Sequence, residues 1–161
     1  MSPRAAWRLE TLGFTRVYDY VAGKTDWMAA GLPIEGDTAS IPKVGDAVRG
    51  DDVTCHLDET LGVVQARVAA AGADVCIVVA GNNIVIGRIR GRALKGDPAM
   101  TAEEAMSSGP TTIRPDTDLA EAVEFYGGSG LKSVLVTDQD GKLMGTLFIE
   151  DGRKLLEAEP G

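Results

Sequence analysis

The sequence predicts an α/β fold in which one strand–helix–strand–strand–helix unit is used twice in tandem, preceded by a short helix–strand–helix segment. Three observations carry that prediction. First, the chain repeats itself at an offset of 58 residues without a gap: Thr54 falls on Thr112, Asp58 on Asp116, Leu61 on Leu119, Gly72 on Gly130, Val78 on Val136 and Gly87 on Gly145. Self-similarity at a fixed period of this size marks a repeated supersecondary unit. Second, each copy passes from a helical apolar spacing to a short continuous apolar run, which reads as a buried strand. Third, glycine closes the helical stretch in both copies, Gly72 and Gly130, where a left-handed C-cap is expected.

The chain divides into residues 1–36, a linker at 37–46, a first copy at 44–95 and a second at 102–158. In the first segment Ala5, Ala6, Leu9 and Leu12 follow a helical spacing ended by Gly13, RVYDY (16–20) is strand-like, and a short helix follows. The linker GDTASIPKVGD (36–46) is polar with one proline. Each copy opens on a short strand near TCH (54–56) or TTIR (111–114). Helices are expected over DETLGVVQARVAAAG (58–72) and DTDLAEAVEFYGG (116–128), each with Asp or Thr before the periodic stretch. The buried strands VCIVVA (75–80) and SVLVTD (133–138) lead through tight turns into IVIGRI (84–89) and KLMGTL (142–147). A second helix closes each copy, clearer in EDGRKLLEAE (150–159) than in GRALKG (91–96).

Composition narrows the function. The 161 residues carry 44% hydrophobic side chains and a net charge of −8. That suffices for a core, and the acidic surface argues against nucleic acid or an anionic membrane as the main partner. No apolar run approaches the ~18 residues of a membrane span, and the N-terminus lacks signal-peptide order, so a cytoplasmic location is expected. Cys55, Cys76 and His56 are too few for a zinc site, and the cysteines read as buried free thiols. DQDGKLMGTLFIED (138–151) begins like a calcium loop, but Lys142 and Ile149 fall where the fifth and twelfth ligands would be needed. Asp140-Gly141 reads instead as a type I′ hairpin turn, with Asn82-Asn83 in the same slot of the first copy. GGSG (127–130) ends a helix, so it reads as a C-cap and not a phosphate loop.

The second copy resembles the CBS domain. The residues that carry the likeness are an opening Met106, Thr112-Ile113, Pro115-Asp116, Leu119, Ala122, the hairpin Asp138, Gly141, Leu143 and Gly145, and Asp151 at the start of the closing helix. The first copy fits more loosely, keeping Val53-Thr54, Asp58, Leu61, its strand and Gly87. The resemblance implies two repeats packed sheet to sheet and a non-enzymatic regulatory module, commonly a homodimer. It also implies clefts that bind adenosine-containing ligands such as AMP, ATP or S-adenosylmethionine. By family position the second copy offers backbone at Thr111, Thr112, Ser133 and Val134 to the adenine edge, and Asp151 to the ribose hydroxyls. Two departures matter. Phe148 stands where the family has a Ser or Thr facing phosphate, where it would stack on a base or fill the cleft. Arg90 and Ala93 hold the matching slots of the first copy, which leaves no ribose carboxylate there, although Arg88 and Arg90 suit a phosphate. For Asp151 the plain alternative is a helix N-terminal carboxylate, and for the arginines a solvated strand face. A ligand-free dimerisation scaffold is the alternative function.

Residues 2–36 resemble the C-terminal end of a rhodanese domain, through Ser2, Ala5, Ala6, Leu9, Gly13-Phe14, Val17, Gly23, Trp27 and Gly31-Leu32-Pro33. The family's cysteine nucleophile lies upstream of that Ser. No cysteine here takes its place, so a catalytically inactive remnant that docks on the repeat module or a neighbouring chain is expected.

Overall fold

The structure, a computed structural model, describes residues 8–18, 27, 32, 33 and 41–158. Among the described residues, eight strands form two four-stranded sheets, one ordered β2-β3-β4-β5 and the other β1-β8-β7-β6. The strands are β1 (Val48–Arg49), β2 (Thr54–Cys55), β3 (Val75–Ala80), β4 (Ile84–Arg90), β5 (Ser107–Ser108), β6 (Thr112–Ile113), β7 (Ser133–Thr137) and β8 (Leu143–Phe148). The helices are α1 (Leu61–Ala70), α2 (Ala102–Ala105), α3 (Leu119–Gly128) and α4 (Ile149–Ala158).

The 58-residue offset is a structural symmetry. The parallel pair β2–β3 joins Thr54 to Ile77, and β6–β7 joins Thr112 to Leu135. Both antiparallel hairpins break register at the same point, between Val78 and Val79 and between Val136 and Thr137. Strand alternation sorts the core into three layers. Cys76 and Val78 pack with Leu61, Val64 and Val68 of α1. Val134 and Val136 pack with Leu119, Ala122 and Val123 of α3. The intervening Ile77, Val79 and Leu135 point the other way and join the two sheets face to face.

The copies also exchange their leading segments. β1 opens the first copy but pairs with β8 of the second, Arg49 opposite Thr146. β5 pairs with β4 of the first copy, Ser107 opposite Arg88. The first free N–H of each helix is satisfied in the same crossed way: Leu61 N donates to Met100 O at 2.7 Å and Leu119 N to Pro42 O at 3.0 Å. Asp118 caps α3 by accepting from Ala120 and Glu121 N–H.

Two local expectations change. The first copy's closing helix shrinks to a single 3-10 turn, Ala93–Lys95. Gly91 at φ +56 and the sequence Gly96-Asp97-Pro98 interrupt it. The Asp140-Gly141 turn is not type I′, because only Gly141 takes positive φ. Instead the Asp138 carboxylate accepts from both Asp140 N and Lys142 N at 2.9 Å and shapes a three-residue loop with a left-handed glycine. In the first copy Asn82 and Asn83 do both adopt left-handed φ, 61 and 64°.

At the N-terminus, residues 8–11 form a helical turn closed by Gly13 at φ +92. Residues 16–18 are not in a strand. Leu12, Phe14 and Tyr18 are 60, 59 and 77% exposed, so these side chains are not packed on the repeats of their own chain. Most of the remaining residues of the rhodanese-like pattern, including Ser2, Ala5, Ala6, Gly23 and Gly31, lie outside the described residues.

Candidate functional site

A cleft of about 860 Å³ opens between the sheets at the end where β1 crosses β8. Its apolar floor includes Val75, Leu131 and Leu135. Of the residues expected from sequence it gathers Ser133, Phe148, Asp151 and Arg88. Ser133 and Phe148 face each other across the β7–β8 ladder. Asp151 follows in the first turn of α4. Thr111, Thr112, Val134 and Arg90 lie outside this cleft. Thr112 lines a second cavity of about 800 Å³ with Arg114, Phe125 and Tyr126. The Val134 side chain faces α3 and is 2% exposed, because the pleat turns it away from Ser133 and Leu135. Arg90 sits at the exposed end of β4 opposite Val75.

Two cleft residues come from the exchanged lead-in, and the sequence reading gives neither a role. Arg49 Nη2 lies 2.5 Å from Asp151 Oδ2. The Arg49 guanidinium carbon also stands 5.0 Å from the centre of the Phe148 ring, a cation–π contact. Asp52 accepts a 2.6 Å hydrogen bond from the Thr146 hydroxyl through Oδ1, while its Oδ2 is closed to solvent without a hydrogen-bond partner. Burial raises the Asp52 carboxyl above its ordinary value, the Thr146 bond opposing and Asp51 adding to the rise. The only signal that could have found Arg49 and Asp52 is strand exchange, which residue pattern alone does not show.

The cleft is lined by five cations, Arg49, Arg88, Lys132, Arg153 and Lys154, and four carboxylates, Asp52, Asp74, Glu150 and Asp151. Lys154 pairs with Glu150 at 2.8 Å and Arg49 with Asp151. Arg88, Lys132 and Arg153 also line it, with no ion-pair partner among the described residues. Burial, helped by the charge of Arg90, holds the Arg88 guanidinium below its ordinary value. A partly desolvated fork of N–H donors without a carboxylate is suited to a phosphate.

Elsewhere, Cys55 and Cys76 are free thiols, 1 and 0% exposed. The bond to Cys55, then burial, pushes the Cys76 thiol up, away from the thiolate a nucleophile needs. Among the described residues no group of three or more His, Cys, Asp and Glu side chains is arranged to hold a metal ion. No helix among them is long and apolar enough to cross a membrane.

Fold and sequence comparisons agree on the class. Residues 102–157 match the family model of the CBS domain. The CBS domains of a transcriptional regulator from Streptococcus pneumoniae superpose with a TM-score of 0.64 at 17% identity, covering 71% of this chain and 99% of that one. CBSX2, a CBS-pair protein of Arabidopsis thaliana, solved in complex with AMP, gives 0.64 at 18%, covering 74 and 99%. The cytosolic domain of the Mg2+ channel MgtE in complex with ATP gives 0.64 at 22%, covering 75 and 51%. Residues 102–157 thus match a CBS domain, and the two sheets with their helices have the fold of tandem CBS domain structures. An uncharacterized protein of Methanopyrus kandleri, MK0525, is 26% identical over 125 residues, 73% of this chain and 62% of that protein. The chain therefore spans about half to three fifths of the length of some of its relatives. None of these comparisons supports the rhodanese resemblance of residues 1–36.

Proposed function

We propose that this protein is a non-enzymatic regulatory module that binds an adenosine-containing ligand, AMP, ATP or S-adenosylmethionine, in the cleft between its CBS repeats. The observation that carries the reading is the convergence of Ser133, Phe148, Asp151 and Arg88 on one cleft with an apolar floor. In this reading the adenine lies between the sheets over Val75 and Leu135, backbone at Ser133 reads its edge, and Asp151 accepts from the ribose hydroxyls. Arg88, Lys132 and Arg153 receive phosphate. That CBSX2 and the MgtE domain were solved with AMP and ATP supports a nucleotide as the ligand class. The module works as a homodimer in this reading. Calorimetric titration with AMP, ATP and S-adenosylmethionine tests the ligand: saturable heat that Asp151→Ala weakens supports the reading. No heat at millimolar ligand, with no effect of Asp151→Ala on thermal stability in its presence, overturns it.

One observation favours a second reading, a ligand-free dimerisation scaffold: Asp151 already has a partner in Arg49, and Phe148 is stacked by the same side chain. Native mass spectrometry of gently purified protein separates the two. A dimer carrying the mass of a nucleotide supports the sensor, and a dimer that stays empty with added nucleotide supports the scaffold.

A further inference from the structure

Arg49 touches two of the residues on which the nucleotide reading depends. Strand exchange pairs its backbone with Thr146, two residues before Phe148, and its guanidinium reaches over Phe148 to Asp151. The contact with Asp151 is an ion pair without an aligned hydrogen bond, and Asp151 Oδ2 is closed to solvent. A ribose diol needs that same carboxylate. We infer that Arg49 is a specificity-determining residue: it occupies the Asp151 carboxylate and yields it to a ligand that brings an anion for the guanidinium, so the cleft selects nucleoside phosphates over nucleosides.

A neutral diol that displaces Arg49 satisfies Asp151 but leaves the guanidinium without its carboxylate. A ligand that brings both a diol and a phosphate satisfies both halves of the broken pair, the phosphate by a charge-assisted fork. Arg88, Lys132 and Arg153 attract the same phosphate but make no ion pair with Asp151. Removing Arg49 therefore separates competition for the carboxylate from general attraction to anions.

This inference rests on the nucleotide reading, and calorimetric titration of the full chain with AMP and with adenosine distinguishes the two. Wild type is expected to prefer AMP. Arg49→Ala is expected to tighten adenosine by about two- to fivefold, the worth of a partly exposed ion pair, and to narrow the preference by at least as much. In a chain already carrying Asp151→Asn, the same substitution brings no gain for adenosine. Arg49→Gln repeats the test with the side-chain stem retained, and thermal melts confirm that each variant is folded. Wild type that binds AMP, with affinities for AMP and adenosine that neither Arg49 variant changes, overturns the inference and leaves the nucleotide reading standing. Wild type that binds neither probe overturns the inference, and the nucleotide reading falls with it when ATP and S-adenosylmethionine also give no heat.

Discussion

The backbone carbonyl of Arg49 occupies the space that a side chain on Gly145 would need. Gly145 sits at φ +146 in β8, and a Cβ there would collide with the Arg49 carbonyl and the Val48 side chain as β1 crosses. Its repeat partner Gly87 is in the same position relative to the other lead-in, but there a Cβ would meet the side chain of Met106. The repeated glycine is therefore explained by the exchange of strands. Gly145→Ala should cost about 2–5 kcal/mol from the clash and the strained backbone together. Gly87→Ala should cost less, because a flexible methionine can move. Denaturant unfolding of the two variants checks the order; equal losses would contradict it.

Acid should weaken the first copy through Glu59. Its carboxylate accepts from Arg67 and from His56 N–H, and the Arg67 bond, before the His56 bond, lowers its pKa below the ordinary 4.5. A carboxyl lowered by folding stabilises the protein above its unfolded value, and that contribution is lost as pH falls through the folded one. Both side chains are partly exposed, so the pair is worth about 0.5–1 kcal/mol. Arg67→Ala should lower the melting temperature modestly at pH 7, and the difference from wild type should shrink as pH falls below 4.5. Melts across pH 3–7, the range roughly bracketing ordinary carboxyl titration, provide the test.

Asp52 should act with the opposite sign. Burial raises its carboxyl above 3.8, so folding disfavours the ionised form, and its contribution to stability improves as pH falls through the raised value. Asp52→Asn keeps an acceptor for the Thr146 hydroxyl and removes the buried charge. At neutral pH it should leave the protein as stable as wild type or up to about 1 kcal/mol more stable. The advantage should fade in acid. A clear loss of stability at neutral pH would instead show that the ionised carboxylate has a partner in solution.

The repeat was legible because its signals are local. Leu61 and Leu119 set helical periods, and Val78 and Val136 lie in continuous apolar runs. Both α1 and α3 and the two central hairpins stand close to where those patterns place them. The lead-in segments were not legible. Val48-Arg49 and Ser107-Ser108 are two-residue strands whose partners lie in the other copy, and such short pieces carry no periodicity of their own. The same reason hid Arg49 and Asp52 from the site. Ser133, Phe148 and Asp151, which line one cleft, were expected together because the family pattern places them within one continuous segment. Thr112 was expected beside them, yet β6 is the edge strand beyond β7, away from β8 where the cleft lies.

Phe148 tests the nucleotide reading from the side of gain. It is 38% exposed at the end of β8, in the slot where the CBS pattern has a hydroxyl facing phosphate, and it carries the Arg49 guanidinium on its ring. Phe148→Ser should act in two ways that add. A hydroxyl hydrogen bond to a charged phosphate contributes about 1.5–3 kcal/mol. Removing the ring also takes away a cation–π contact of about 0.5–1 kcal/mol that helps hold Arg49 over Asp151. Little stability is at risk, since the ring is not part of the buried core. AMP binding by the variant should therefore tighten by about tenfold or more, while adenosine, which lacks the phosphate, gains only the smaller part. The check is parallel titration of wild type and variant with both compounds. If Phe148→Ser weakens AMP binding, the ring is a stacking surface for the base and the assignment of this slot to phosphate is wrong.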